Sequence, residues 1–195
     1  MGASERDETW RALFAQDLLD VDEDDLVYLD ESGFHTSMTR THARSPRGER
    51  AYGHVPRNRG RHLTLLCAMT RAGPCADVVI EGGVDGAVFV TSLRDVLCPL
   101  LRAGQIVVMD NLGAHKRPEV VALIEARGAI PVYLPPYSPD LNPIELLFSK
   151  LKAAMRRIAA RTRATVIAAL GHALSTVSAS DAAAWFRHCR SPQST

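Results

Sequence analysis

Several features are missing from this sequence, and each absence removes a class of protein. No apolar run approaches the ~20 residues needed to cross a bilayer, so no membrane role is expected. Cysteine is sparse: Cys67, Cys75, Cys98 and Cys189 lie far apart, with no C-x-x-C pair. That spacing argues against a zinc site or a disulfide framework and fits reduced thiols in a cytoplasm. The opening MGASERDETW is polar and acidic, which is wrong for a secretory signal. Net charge is only +1, so the total gives no hint of a polyanionic partner. Internal repeats and low-complexity tracts are absent as well. What is present is a 195-residue chain, 46% apolar and 23% charged, enough for one globular domain with a substantial core.

The charge is neutral in sum and uneven along the chain. Residues 5–31 carry eleven acids against two arginines. Residues 40–62 reverse this with seven arginines and one acid, Glu49. Residues 146–163 carry six bases and no acid. A single such run is ordinarily a solvated surface. Two basic runs flanking a set of carboxylates point towards a polyanion.

The hydrophobic pattern predicts an α/β sandwich. A short helix is expected near 10–19, then a buried strand at 26–30. The arginine-rich stretch 40–61 reads as a loop or irregular hairpin. Strands follow at 62–69 and 76–82, and a helix at 86–101 with Asp85 as its N-cap. A strand at 105–110 precedes a short helix at 118–127, opened by Pro118 and closed by Gly128. A strand at 129–134 leads into a loop holding Pro135, Pro136, Pro139 and Pro143. A long helix at 143–160 and two more near 164–177 and 181–188 complete the order.

Asp30 and Asp110 share a context. Each closes an apolar strand and is followed by a polar residue and then a glycine (Glu31 and Gly33; Asn111 and Gly113). In open α/β sheets ligands gather at the carboxyl ends of strands. Two such aspartates on neighbouring strands would face one spot, although either residue alone is as easily a turn former. Glu145 also has two readings. With Asn142 as N-cap and Pro143 at N1, it sits at the glutamate position of a capping box. It also heads a polar stripe, Glu145, Ser149, Lys152 and Arg156, beside an apolar stripe running from Ile144 to Ile158. The capping reading leaves the rigid proline loop unexplained. A need to fix where Glu145 stands would explain it. Three converging acids would repel one another unless a divalent cation joined them. An oxygen-only donor set favours Mg²⁺ or Mn²⁺ over zinc. Two such ions about 4 Å apart can activate a water or hydroxyl and stabilise the leaving oxygen in phosphodiester displacement.

Four segments carry a resemblance to a known family: YLDESGF (28–34), YGHVPRNRGRHLTLL (52–66), VVMDNLGAHK (107–116) and LPPYSPDLNPIELLFSKLK (134–152). Exactly spaced acids alone mean little, but 34 residues separate Asp110 from Glu145 within these motifs. The chain resembles the DDE transposases of the mariner superfamily, in the bacterial insertion-sequence branch and the D-x34-E subgroup. The resemblance implies a ribonuclease-H-like mixed sheet flanked by helices, with a helical C-terminal tail. It implies Asp30, Asp110 and Glu145 as the metal-binding catalytic triad, with two Mg²⁺ or Mn²⁺ ions. Asn111 and His115 take supporting roles, His115 as a helix-start packing residue before a base. Arg57, Arg59 and Arg61 fall in a segment similar to a family DNA-contact sequence, although Asn58 and Arg59 depart from its usual residues.

The implied activity is cleavage at transposon ends, followed by attack of the 3′-hydroxyl on target DNA. A homodimer on DNA in a bacterial cytoplasm, associated with the nucleoid, is the implied setting. Lys152 and Arg156 are the expected phosphate contacts near the acids. The chain divides into an acidic lead-in (1–24), the catalytic domain (25–162) and a helical extension of that domain (163–195). Family members carry N-terminal helix-turn-helix modules that read the ends. Only residues 1–29 precede Asp30 here, so end recognition is expected in a separately encoded part, or the chain is a truncated remnant. Two alternatives stand beside this reading: a nuclease of the same fold without strand transfer, and a non-catalytic DNA-binding or regulatory fragment.

Overall fold

The computed structural model describes residues 6–57, 60 and 62–190. Five strands form one mixed sheet in the order β3-β2-β1-β4-β5. They are β1 (Leu26–His35), β2 (His62–Thr70), β3 (Gly73–Glu81), β4 (Ile106–Met109) and β5 (Ile130–Tyr133). β1–β2 and β2–β3 pair antiparallel, whereas β4 lies parallel to both β1 and β5. The helices are α1 (Glu8–Leu19), α2 (Gly86–Ser92), α3 (Pro118–Glu125), α4 (Pro143–Ile158), α5 (Arg163–Ser175) and α6 (Ala179–Arg190).

Strand alternation sorts the core into two layers. Leu26, Tyr28 and Phe34 of β1 face the layer built with Phe14 and Leu18 of α1, the apolar stripe of α4, and α5 and α6. Val27 and Leu29 face the other layer, with Phe89 of α2 and Val120 and Ile124 of α3. Each fully buried side chain of this size contributes about 1.5–3 kcal/mol. The α4 stripe (Ile144, Leu147, Phe148, Leu151, Met155) is buried as its period requires, but Ile158 is exposed. The helix ends there: Ala159 adopts φ +53° and donates its N–H to the Met155 carbonyl, turning the chain out of the stripe.

Two elements depart from the sequence expectation. β1 does not stop at Asp30 but continues to His35, because β2 keeps pairing with it where β4 has ended. The helix expected over 86–101 starts as foreseen, with Asp85 accepting from the N–H groups of Ala87 and Val88. After Ser92 it loosens into a π turn at Leu93–Leu97 and a 3₁₀ turn at Cys98–Leu100. Pro99 has no N–H, and its ring crowds the carbonyl four residues back, so a regular helix cannot continue. Residues 40–57 form an exposed loop without helix or strand, as expected. No helix among the described residues is long and apolar enough to cross a membrane.

Candidate active site

The sheet brings the two aspartates together. β1 and β4 run parallel with Leu29 opposite Met109, so Asp30 and Asp110 follow at the same level. β4 ends at that point and β1 does not, so Asp30 lies within the central strand and is only 7% exposed. By parity Asp30 faces the α4 layer, and its neighbour Glu31 faces the α2–α3 layer. Asp30, Glu31, Asp110, Asn111 and Glu145 all line one cleft of about 550 Å³. Residues 134–139 of the proline loop and Leu112 complete its walls.

The first turn of α4 answers the question about Glu145. Asn142 occupies the N-cap position but makes no capping bond with its side chain. Its Nδ2 donates instead to Asp30 Oδ2 at 2.9 Å. The capping box expected there is therefore not formed, and Glu145 stands exposed at the edge of the cleft. The proline loop is also tied from outside. Arg11 of α1 donates to both carboxylate oxygens of Asp140, at 3.0 and 2.5 Å.

His115 is fully buried, stacked on Phe89 with ring centroids 4.3 Å apart. Its Nε2 lies 3.2 Å from Glu31 Oε2. Its Nδ1 lies 2.5 Å from Asp110 Oδ1, a short charge contact that is not aligned as a hydrogen bond. The Tyr133 hydroxyl donates to the His115 carbonyl at 3.1 Å. Burial alone would lower the imidazole pKa, but Asp110 and Glu31 outweigh it and raise it to about 9. The two acids thus favour the charged form of His115, whose ring stands between them.

Asp110 also accepts the Leu112 N–H at 3.1 Å, so it forms the turn that its context suggested as well as facing the cleft. Asp30 accepts the Glu31 N–H at 2.7 Å. Burial raises the Asp30 carboxyl to about 7; the Glu31 N–H opposes this, and the charges of Asp110, Glu145 and Glu31 add to it. Among the described residues no three Asp, Glu, His or Cys side chains are drawn together tightly enough to enclose a metal as they stand. The donor chemistry nevertheless fits a hard cation. All the cleft acids present oxygen, and the buried Oδ1 atoms of Asn111 and Asn142 have no hydrogen-bond partner.

Lys152 and Arg156 lie further along α4, half-buried, and do not line the cleft. Arg57 is exposed in the loop before β2; Arg59 and Arg61 fall outside the described residues. Sequence reasoning missed Glu31 as a site residue and misassigned the Asn142 side chain. The first was signalled by adjacent acids on a strand, which must face opposite layers. Nothing local signalled the second, because its partner is 112 residues away.

A central strand with an inward aspartate, a second aspartate at the end of its parallel neighbour and a glutamate on a later helix thus line one cleft of a ribonuclease-H-like fold. The chain belongs to the DDE superfamily endonuclease family, whose model matches residues 25–167. Its fold is similar to that of the pre-cleavage Mos1 transpososome (TM-score 0.76, 18% identity), covering 95% of this chain and 59% of that one. The Mos1 strand transfer complex (0.74, 19%) is covered to 95% and 58%. The Mos1 mariner paired-end complex with Mn (0.72, 18%) is covered to 95% and 59%. The chain therefore spans under two thirds of these Mos1 chains. A search of curated proteins found no match.

Proposed function

We propose that this chain is the catalytic domain of a mariner-superfamily transposase, of the bacterial insertion-sequence branch and D-x34-E subgroup. Its reaction is metal-dependent DNA cleavage at transposon ends, followed by joining of the 3′-hydroxyl to target DNA. The observation that carries this reading is the single cleft that Asp30, Asp110 and Glu145 all line, from two neighbouring strands and the helix that follows. Family membership and the shared fold with Mos1 strand transfer and paired-end complexes support it.

Asp30, Asp110 and Glu145 would hold two Mg²⁺ or Mn²⁺ ions, with Asn111 as a further oxygen donor. When bound, such a pair supplies Lewis acidity for activating a hydroxyl and stabilising a leaving oxygen. The chain's own residues prepare the site. Asn142 fixes one oxygen of Asp30, His115 orients Asp110 and Glu31, and the braced proline loop sets the start of α4 and hence Glu145. Arg57, Arg59, Arg61, Lys152 and Arg156 would contact backbone phosphate, giving strongly salt-dependent binding with weak sequence preference. Partners on this reading are a second copy of the chain and a separately encoded helix-turn-helix part, in the bacterial cytoplasm.

The test is nicking of plasmid DNA with Mg²⁺ or Mn²⁺, in which Asp110→Asn is expected to fall to background while its circular dichroism is unchanged. Equal nicking by both proteins would overturn the proposal. A donor end with a free 3′-hydroxyl should yield joined product. Cleavage without joining would favour the nuclease alternative, and tight binding in chelator with no cleavage on adding metal would favour the non-catalytic fragment.

A further inference from the structure

One side chain at the cleft serves neither the acids nor the core. Tyr137 sits between Pro136 and Pro139 with φ +54°, a backbone conformation that bulky L residues rarely adopt. It is 58% exposed and lines the same cleft as Asp30, Asp110 and Glu145. No hydrogen bond or ring contact holds it among the described residues. The loop around it is firm. Ser138, buried beside it, donates its Oγ to the Pro136 carbonyl at 3.1 Å, and Arg11 clamps Asp140. A tied loop thus presents an exposed aromatic side chain at the cleft that the acids line, at the cost of a strained backbone. Leu112, 47% exposed, presents a second apolar surface to this cleft from the loop after β4.

We infer that Tyr137 is a base-binding residue, whose ring stacks on an unpaired nucleobase beside the phosphodiester presented to the acids. This rests on the endonuclease reading and narrows its substrate to DNA that is locally unpaired at the cut. Every base has a flat π face, so an aromatic platform accepts an extruded base without reading its identity. A paired base cannot offer that face, because its neighbours in the stack cover it. Leu112 would supply apolar contact to the same base.

The test uses the full chain in Ca²⁺ with two short duplexes carrying 5-iodouracil, one with it in a mismatch bubble and one fully paired. Long-wavelength irradiation should crosslink Tyr137 to the bubble duplex and not to the paired one, as mapped by peptide mass spectrometry. Tyr137→Gly should weaken binding of the bubble duplex by about fivefold or more, leaving the paired duplex unchanged. Tyr137→Trp should retain the preference. Glycine adopts φ +54° freely, so the melting temperature of Tyr137→Gly should equal or exceed that of the wild type. A ring that merely held the loop together would give a lower one. If the wild type nicks DNA in Mn²⁺ but Tyr137→Gly binds both duplexes like the wild type, stacking is refuted and the endonuclease reading stands. If the wild type neither nicks nor binds, both fall together.

Discussion

One group of acids precedes the central strand and another gathers midway along it, where its parallel neighbour ends, and they are treated in opposite ways. Before β1, Glu23, Asp24 and Asp25 meet arginines: Arg71 at 2.9 Å from Glu23 and 3.5 Å from Asp24, Arg102 at 3.9 Å from Asp25, and Arg190 at 4.0 Å from Glu23. At the cleft, His115 stands against Glu31 and Asp110, and among the described residues Asp30 and Glu145 have no basic side chain paired with them. The first group is compensated within the chain, and its chemistry ends there. The second is left in deficit; burial raises the Asp30 carboxyl, and the charges of Asp110, Glu145 and Glu31 add to it. Undercompensation, more than the mere presence of acids, marks a site built to receive positive charge.

The comparison can be broken from either end. The largest effect is expected at His115, which stands between Glu31 and Asp110. His115→Leu should destabilise the fold by about 2–4 kcal/mol in denaturant unfolding, the usual cost of breaking a buried pair reduced for the partial exposure of its acids. Because the folded imidazole is raised from 6.5 to about 9, its stabilisation is complete below pH 6.5 and is lost as pH rises through about 9. The gap between wild type and variant should close over that window; a constant gap would mean that packing on Phe89, and not charge, is the source.

A smaller effect of opposite sign is expected at Asp30. Its folded carboxyl is raised from 3.8 to about 7, so the stability it lends belongs to the protonated form and is lost as pH rises through that interval. In chelator at pH 8, Asp30→Asn removes the buried charge but turns an N–H towards the Glu31 N–H or Asn142 Nδ2, so it should stabilise the fold by under about 1 kcal/mol while nicking disappears. A loss of stability instead would show that the lost acceptor outweighs the removed charge. The smallest effect belongs to the compensated end. Arg71 is 43% exposed, so Arg71→Ala should cost under about 1 kcal/mol and leave nicking unchanged.

Much of this was legible in the sequence because it is local. The strand and helix periods, the Asp85 cap, the Pro118 start and the matched contexts of Asp30 and Asp110 need only near neighbours. What was not legible depended on partners far away in the chain. β1 runs on to His35 because β2 supports it, and no feature of residues 31–35 themselves announces that. Asn142 was read as a cap by a sound local rule, but Asp30 competes for its amide across 112 residues and wins. His115 is expected to pack at a helix start, and in the structure it stacks on Phe89. Its ionic role needs Glu31 on another strand.

The tie between Arg11 and Asp140 has a practical consequence for anyone shortening this protein. The family match covers residues 25–167, a range that excludes α1 and α6. A fragment trimmed to it would shed the guanidinium that braces the loop before Glu145, and also Phe186, whose ring meets Tyr28 edge-on at 5.3 Å. It would retain every acid of the cleft yet leave a greasy flank open to water and the glutamate on a slack tether. Failure of such a fragment in an assay would report on the surgery, not on the intact chain.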